Sequence, residues 1–355
     1  MKRTVRFKTA CLGFFLAAGL NSSFLARAEE SKTPKPSGIF SFFLENDVFA
    51  GTDRGYTSGL KFVWVSPGLN GDPATYHLPR WLDFLSRKLP LVQTPGSQRF
   101  VSVFAGQKIY TPNDIERSDL IAWDRPYAGM TYAGLGFHRM GLSFMDTVEL
   151  NIGIVGPHSF AGDVQRFVHK IFGWTPANGW AHQLKDEAVL GFVCDHKWKV
   201  WQSEREGSFG SDLIVHGGGE LSNALTGAST GFEFRAGWNI PNDFGTSRIQ
   251  PGSDSSSLFE ERDLRRSGRS RLGFHFFLAL EGHGVLRDIF LDGNTFRKSH
   301  SVEKIPFRAD IAMGFALRYK RLKLNCGYVY QTKQFATQTK NAVYGSLQAA
   351  LVLLD

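Results

Sequence analysis

The chain has 355 residues, 42% of them hydrophobic and 14% aromatic, with 38 glycines and a formal charge of +8. No apolar run reaches the roughly 20 residues that a membrane-spanning helix needs, and a mean hydropathy just below zero suits a β-rich secreted protein and a soluble sandwich alike. Residues 1–28 carry five basic and no acidic side chains, so their removal lowers the charge to +3 and takes away the main support for a nucleic-acid partner.

Lys2, Arg3, Arg6 and Lys8 precede the short apolar run from Ala10 to Leu20, and Ala26-Arg27-Ala28 supplies a small-x-small cleavage site. Residues 1–28 are therefore expected to be a signal peptide. The polar, Pro-containing stretch after it reads as a disordered tail over 29–37, which leaves 38–355 as one domain. Cys11 leaves with the signal; Cys194 and Cys326 are far apart and make neither a disulfide scaffold nor a metal knuckle.

From residue 38 onward the sequence alternates with period two. Leu272, Phe274, Phe276, Leu278 and Leu280 share one face, against Gly273, His275, Phe277, Ala279 and Glu281 on the other. Met313 to Tyr319, Leu322 to Tyr330 and Leu347 to Leu353 repeat the pattern, as a lipid-facing wall requires. Strands are expected near 38–49, 57–67, 99–108, 129–141, 145–155, 189–201, 208–218, 229–239, 271–283, 306–320, 321–334 and 342–353. The fold class is all-β, an antiparallel up-and-down transmembrane barrel of about twelve strands, with a soluble sandwich as the rival. If the chain enters from the periplasm, connections 50–56, 109–128, 156–188, 219–228, 284–305 and 335–341 face outward. Connections 68–98, with the helix-like Arg80 to Leu85, and 240–270 are long inward ones to which no function is assigned. The closing Leu353-Leu354-Asp355 lacks the usual terminal aromatic residue.

Five polar clusters fall on or beside the first three outward connections: Glu45-Asn46-Asp47, Asp53 to Gly59, Gly106-Gln107-Lys108, Asp124 to Gly129, and Gly156-Pro157 with the segment after it. Asp163 to Phe172 reads as a helix with an acid in its first turn, Lys170 in its last and Gly173 just past the end. Val164, Phe167, Val168, Ile171 and Phe172 form one apolar stripe. Gln165 and His169, four apart, stack where that stripe meets the charged face of Arg166 and Lys170. A histidine at that border reaches both lipid and water and can serve as a general base or be incidental. Asn46-Asp47 offers the oxygen ligands that calcium requires, or is a solvated rim. Asp124-Arg125 and Asp53-Arg54 read as loop braces rather than catalysts. There is no G-x-S-x-G, H-E-x-x-H or C-x-x-C motif.

These clusters, with Gly106 to Pro112, Val155-Gly156-Pro157, Val164-Gln165, His169, Gly179-Trp180 and Gln183-Leu184, resemble the lipid A 3′-O-deacylase family of outer-membrane barrels. The resemblance runs in order through the first half of the domain; the second half resembles the family mainly as strands. It implies a twelve-stranded, monomeric barrel in the outer membrane whose extracellular mouth binds Ca2+ and removes the 3′-linked acyloxyacyl group of lipid A in lipopolysaccharide. By position, Asn46, Asp47, Thr57, Gln165 and His169 fall on active-site positions. His169 would take a proton from the attacking water, and Asp47 would hold the calcium that polarises the ester carbonyl. Asn46, Thr57 and Gln165 would orient water, cation or substrate. Thr175 stands where family members can carry an acid, and Glu187 or Asp186 downstream is the replacement, with Glu187 as second metal ligand. Arg117, Lys108 and Arg125 are the candidates for the lipid's phosphates. A porin-like barrel without enzymatic activity is disfavoured by inward Phe277, Val329 and Ala350, and an outer-membrane phospholipase is the other alternative.

Overall fold

The computed structural model describes residues 36–50, 55–69, 78–88, 97–203, 208–246 and 272–354. The expected signal peptide, the tail up to residue 35, and Asp53-Arg54 lie outside the described residues.

Twelve antiparallel strands, each bonded to its sequence neighbours, close a barrel. They are β1 (Pro36–Asn46), β2 (Gly55–Val65), β3 (Gln98–Thr111), β4 (Ala128–Met140), β5 (Phe144–Val155) and β6 (Glu187–Ser203), then β7 (Phe209–Ser222), β8 (Leu225–Trp238), β9 (Leu272–Asp288), β10 (Phe307–Tyr319), β11 (Leu322–Gln331) and β12 (Ala342–Leu354). Pairing of β1 with β12 starts at Pro36 opposite Leu354, two residues before the expected start. Successive side chains on a strand point to opposite faces. Leu272, Phe274, Phe276, Leu278 and Leu280 are accordingly exposed on the outer wall, while His275, Phe277, Ala279 and Glu281 are buried in the lumen. No helix among the described residues is long and apolar enough to span a membrane.

Several strands run further than their polarity predicts. The expected connection 219–228 shrinks to Asn223-Ala224, because Glu220 pairs with Gly227 and Leu221 with Thr226. Gly217 to Gly219 carries turn chemistry in isolation, but a partner strand offers its backbone ladder bonds that a loop would forgo. β3 likewise continues to Thr111 and β9 to Asp288.

Two helices lie on the outside of the wall. Leu82 of α1 (Arg80–Lys88) packs with Leu69 on Val101 and Phe137, whose neighbours Phe100 and Met140 face the lumen. This is the lower end of the barrel, where β1 starts and β12 finishes. The second helix, α2 (Ala161–Phe172), covers Ile109 at the upper end of the same β3–β4 face.

The lumen is filled from both ends. At the lower end the segment after β8 folds back inside. Its Phe244 packs with Phe43, Val63, Phe100 and Met145. Arg235, fully buried, donates to both oxygens of Asp212 at 2.8 and 2.5 Å and also meets Asp243, which accepts from Lys323 Nζ at 2.5 Å. The described start of the long connection 240–270 is therefore a plug, and its charges persist away from water because each faces an opposite one. At the upper end the short helix α3 (Ile289–Asp292) sets Phe290 on the Tyr110 ring, centroids 4.1 Å apart. Between the plugs lies a chamber of about 220 Å³ lined by Lys61, Lys108, Glu220 and Glu281 among others.

Candidate active site on the outer wall

A single rung of the upper barrel organises the site. Gly345 of β12 is opposite Asn46 of β1, Asn46 opposite Ser58 of β2, Ser58 opposite Ile109 of β3, and Ile109 opposite Gly129 of β4. Across β1 to β4 this covers three strand spacings, about 14 Å. Asp47 opens a 3-10 turn over Asp47–Ala50 one residue above the rung, and Phe49 of that turn lies against Gly345, where a side chain's Cβ would come within 2.6 Å of it. Asn46 Oδ1 accepts from the Val48 N–H at 2.8 Å and so holds the turn's entry. The Asp47 side chain is 1% exposed. Thr57 is the extra residue of a register shift between β2 and β3, and its hydroxyl shares a 2.7 Å hydrogen bond with Thr111.

α2 sits on the far end of the rung. Its first residue presses on Gly129, where a Cβ would come within 2.0 Å of the Ala161 Cβ, so only glycine admits the helix. Gly156, at φ +106°, turns the chain out of β5 against the backbone of Lys185 and Asp186. The approach is pinned by Gln107 Nε2 and Thr131 Oγ1, both donating to the Ser159 carbonyl at 2.7 Å. A residue advances about 100° round a helix, which places Ala161, Gly162, Gln165 and His169 on one side. Those four are the buried ones, with Gln165 3% and His169 5% exposed, and the apolar stripe of Val164, Phe167 and Ile171 is left outside. A helix of 12 residues is about 18 Å long, and this one lies over β3 and β4.

The two polar residues are fixed by partners that the fold supplies. Trp180, in the 3-10 turn Gly179–His182, donates Nε1 to Gln165 Oε1 at 2.7 Å. With that oxygen engaged, Gln165 Nε2 is buried without a hydrogen-bond partner among the described residues, a donor aimed at something the protein itself does not provide. His169 Nδ1 lies 2.5 Å from the Thr175 carbonyl. A carbonyl only accepts, so Nδ1 carries the proton and the neutral ring has its lone pair on Nε2. Position 175 thus contributes its backbone oxygen in place of an acidic side chain. Asp186 serves the approach loop instead, accepting from the His158 N–H at 2.9 Å and its ring at 2.7 Å.

The other sequence candidates stand elsewhere. Glu187 is on β6, five strands round from β1, and accepts from Asn223, Asn294 and the Thr295 N–H, so it braces loops and does not meet Asp47. Lys108 points into the lumen chamber, 5.8 Å from the Tyr132 ring centroid. Arg125 is buried over Tyr110, 4.5 Å away, donating to Gln334 at 3.2 Å, and burial pushes its guanidinium pKa down. Asp124 braces its own loop by accepting from Asn113 N and Nδ2, both at 2.8 Å. Arg117 lies on an exposed loop, paired with Asp119 and 5.5 Å over Trp123. Sequence reasoning passed over Trp180, Thr111 and the Thr175 carbonyl as site components, although the first two belong to the motifs Gly179-Trp180 and Gly106 to Pro112.

Among the described residues no three His, Cys, Asp or Glu side chains gather around one metal position. The buried Asp47 carboxylate, with the backbone oxygens of its own turn, is a donor set for a hard, oxygen-seeking cation such as calcium, with one anionic ligand.

The family model of the outer membrane protein LpxR matches residues 12–353. LpxR from Salmonella typhimurium superposes with a TM-score of 0.69 at 16% identity, covering 89% of this chain and 100% of that one. The β domain of the Bordetella autotransporter BrkA follows at 0.42 and 10%, covering 88% and 97%. No curated protein matches the chain.

Proposed function

Since the chain belongs to the family of the outer membrane protein LpxR and is an outer-membrane β-barrel, we propose that it is an ester hydrolase that removes the 3′-linked acyloxyacyl chain of lipid A. The observation that carries this reading is the burial of Gln165 and His169 against the outside of the wall rather than in the lumen. A bilayer-embedded lipid can reach that face without leaving the membrane.

In this mechanism His169 is the general base. The Thr175 carbonyl holds the Nδ1 proton, so Nε2 accepts a proton from water as the oxygen attacks the ester carbonyl. The proton then passes from Nε2 to the departing sugar oxygen. Gln165 Nε2 donates to the water or to the substrate carbonyl, in an orientation set by Trp180. Calcium, when bound by Asp47 and neighbouring neutral oxygens, would supply positive charge to polarise the ester carbonyl and stabilise its oxyanion. Asn46 and Thr57 shape that pocket through the turn and the hydroxyl pair with Thr111. The upper end is read as the cell-surface end, Arg117 as the headgroup contact of the exposed loop, and the protein as a monomer.

The filled lumen supports this reading over a porin. An outer-membrane phospholipase shares the chemistry, and substrate choice separates the two. Mass spectrometry of lipid A from cells expressing the protein should show loss of one acyloxyacyl mass, absent with His169→Ala and suppressed by chelating calcium. Unchanged lipid A with release of glycerophospholipid acyl chains would favour the phospholipase.

A further inference from the structure

The β3–β4 face carries both external helices, and they are built alike. On α2, at about 100° per residue, Ala161, Gly162, Gln165 and His169 face the wall. Val164, Phe167 and Ile171 project about 140° to one side, with Asp163, Arg166 and Lys170 about 120° to the other. All six of these flank residues are exposed, Phe167 at 65% and Ile171 at 60%. On α1 the buried residues are Leu82 and Ser86, while exposed Trp81, Phe84 and Leu85 form one flank. Arg80, Asp83 and Arg87 form the other, with Arg87 bonded to Asp83 at 2.9 Å, while Lys88 lies over the Phe84 ring on the apolar flank. The same helical arithmetic gives three sectors in the same rotational order on both helices: wall, apolar, charged.

Among the described residues no protein covers the second and third sectors of these helices. The spacing along the strand says what covers them. α1 docks over Val101 and α2 over Ile109, eight residues along β3, about 27 Å in an extended strand. At a strand tilt near 40° that is roughly 20 Å along the barrel axis, close to the height of the apolar band of an outer-membrane barrel, about 25 Å. Between the two docking points the outer wall shows exposed Val103, Ala105 and Ala133, a surface continuous with the lipid-facing wall.

We propose that α1 and α2 are interfacial helices bracketing the hydrocarbon layer, each with its exposed apolar flank sunk in lipid acyl chains and its charged flank in the headgroup region. The occupant is bilayer lipid. A charged flank next to an apolar, aromatic one is what a helix lying in a membrane interface requires. For α2 this fixes the depth of the Gln165–His169 face at the boundary between chains and headgroups. That depth follows from the outer-membrane location alone; its consequence for turnover rests on the hydrolase reading.

The test uses the full-length protein in vesicles containing lipopolysaccharide, with spin labels at Phe167→Cys, Ile171→Cys and Phe84→Cys and, as partners, Arg166→Cys, Lys170→Cys and Arg87→Cys. Labels at 167, 171 and 84 should collide preferentially with oxygen, and labels at 166, 170 and 87 with a water-soluble nickel reagent. Equal access of the nickel reagent to both sets overturns the proposal, as does spin–spin broadening at 167 or 84, which would put a second copy of the chain on that flank. A separate measurement addresses turnover. Phe167→Ser with Ile171→Ser should lose about tenfold activity on lipid A in vesicles relative to detergent-dispersed lipid A. An equal loss in both contradicts the depth role. A wild type inactive in both, with the label pattern intact, would remove the hydrolase reading and leave the interfacial helices standing.

Discussion

His169 illustrates how a backbone atom can do the work of a side chain. Its tautomer is set by the Thr175 carbonyl, so the threonine side chain is dispensable. Thr175→Ala should keep lipid A turnover within about threefold of wild type, whereas His169→Ala should lose about 10²-fold or more, the range removed with a general base. Product analysis by mass spectrometry at matched expression distinguishes them. Gln165→Glu keeps the oxygen that accepts from Trp180 and loses the Nε2 donor. It should lower kcat with little change in barrel stability. The spacing of Gln165 and His169 was legible because helical periodicity alone stacks residues four apart. The reach of Glu187, Lys108 and Arg125 was not, since side and distance on a closed wall depend on ladder register, which a one-residue shift reverses. Lys108 and Gln107 differ by one position, yet one lines the lumen and the other pins α2 from outside.

At the scale of the element, α2 owes its place to a glycine. Gly129→Val drives a side chain into Ala161 and should lift the helix off β4. The expected outcome is a folded, heat-modifiable barrel with turnover reduced at least as far as in His169→Ala. An intact activity would show that the helix need not touch this strand. The approach to α2 also carries a pH dependence. Burial pushes the Asp186 carboxyl up, but its hydrogen bonds with His158 outweigh this and hold it below the usual carboxylate range. Its folded pKa is depressed, so its contribution is complete above that range and fades as pH falls through the lowered value. Amides of 158–162 should exchange faster below about pH 3 than at about pH 5 relative to Asp186→Asn, which lacks the contribution at both. Strand periodicity and the end of α2 at Phe172 were readable from local pattern, while its start lies at Ala161, two residues before the expected Asp163. The run of β7 through Gly217 to Gly219 was not, because the pairing that overrides the glycines comes from β8.

For the whole molecule, closing the sheet removes every edge, and among the described residues side chains fill both ends of the lumen. The lower plug depends on Arg235, whose removal would leave Asp212 buried without its cation and Asp243 with Lys323 alone. Arg235→Met should destabilise the barrel by about 3–5 kcal/mol, measured by urea unfolding in micelles. Arg235→Met together with Asp212→Asn should recover much of the loss, because Asp243 keeps Lys323 as its cation. The barrel class, its strand number and its lipid-facing positions were all present in the alternation of single strands. The plugs were not, because 239–246 and Ile289–Asp292 are short, irregular in sequence and meaningful only against the opposite wall.

In the proposed reaction, water activated at the outer face of β1 to β4 cleaves an acyl ester of lipid A. Purified protein incubated with lipid A and calcium in 18O-enriched water tests this directly. Prediction: one 18O atom appears in the carboxylate of the released acyloxyacyl acid, none in the sugar hydroxyl, and His169→Ala releases nothing. Lipid A of unchanged mass with the wild-type protein, or label in the sugar hydroxyl, would contradict it.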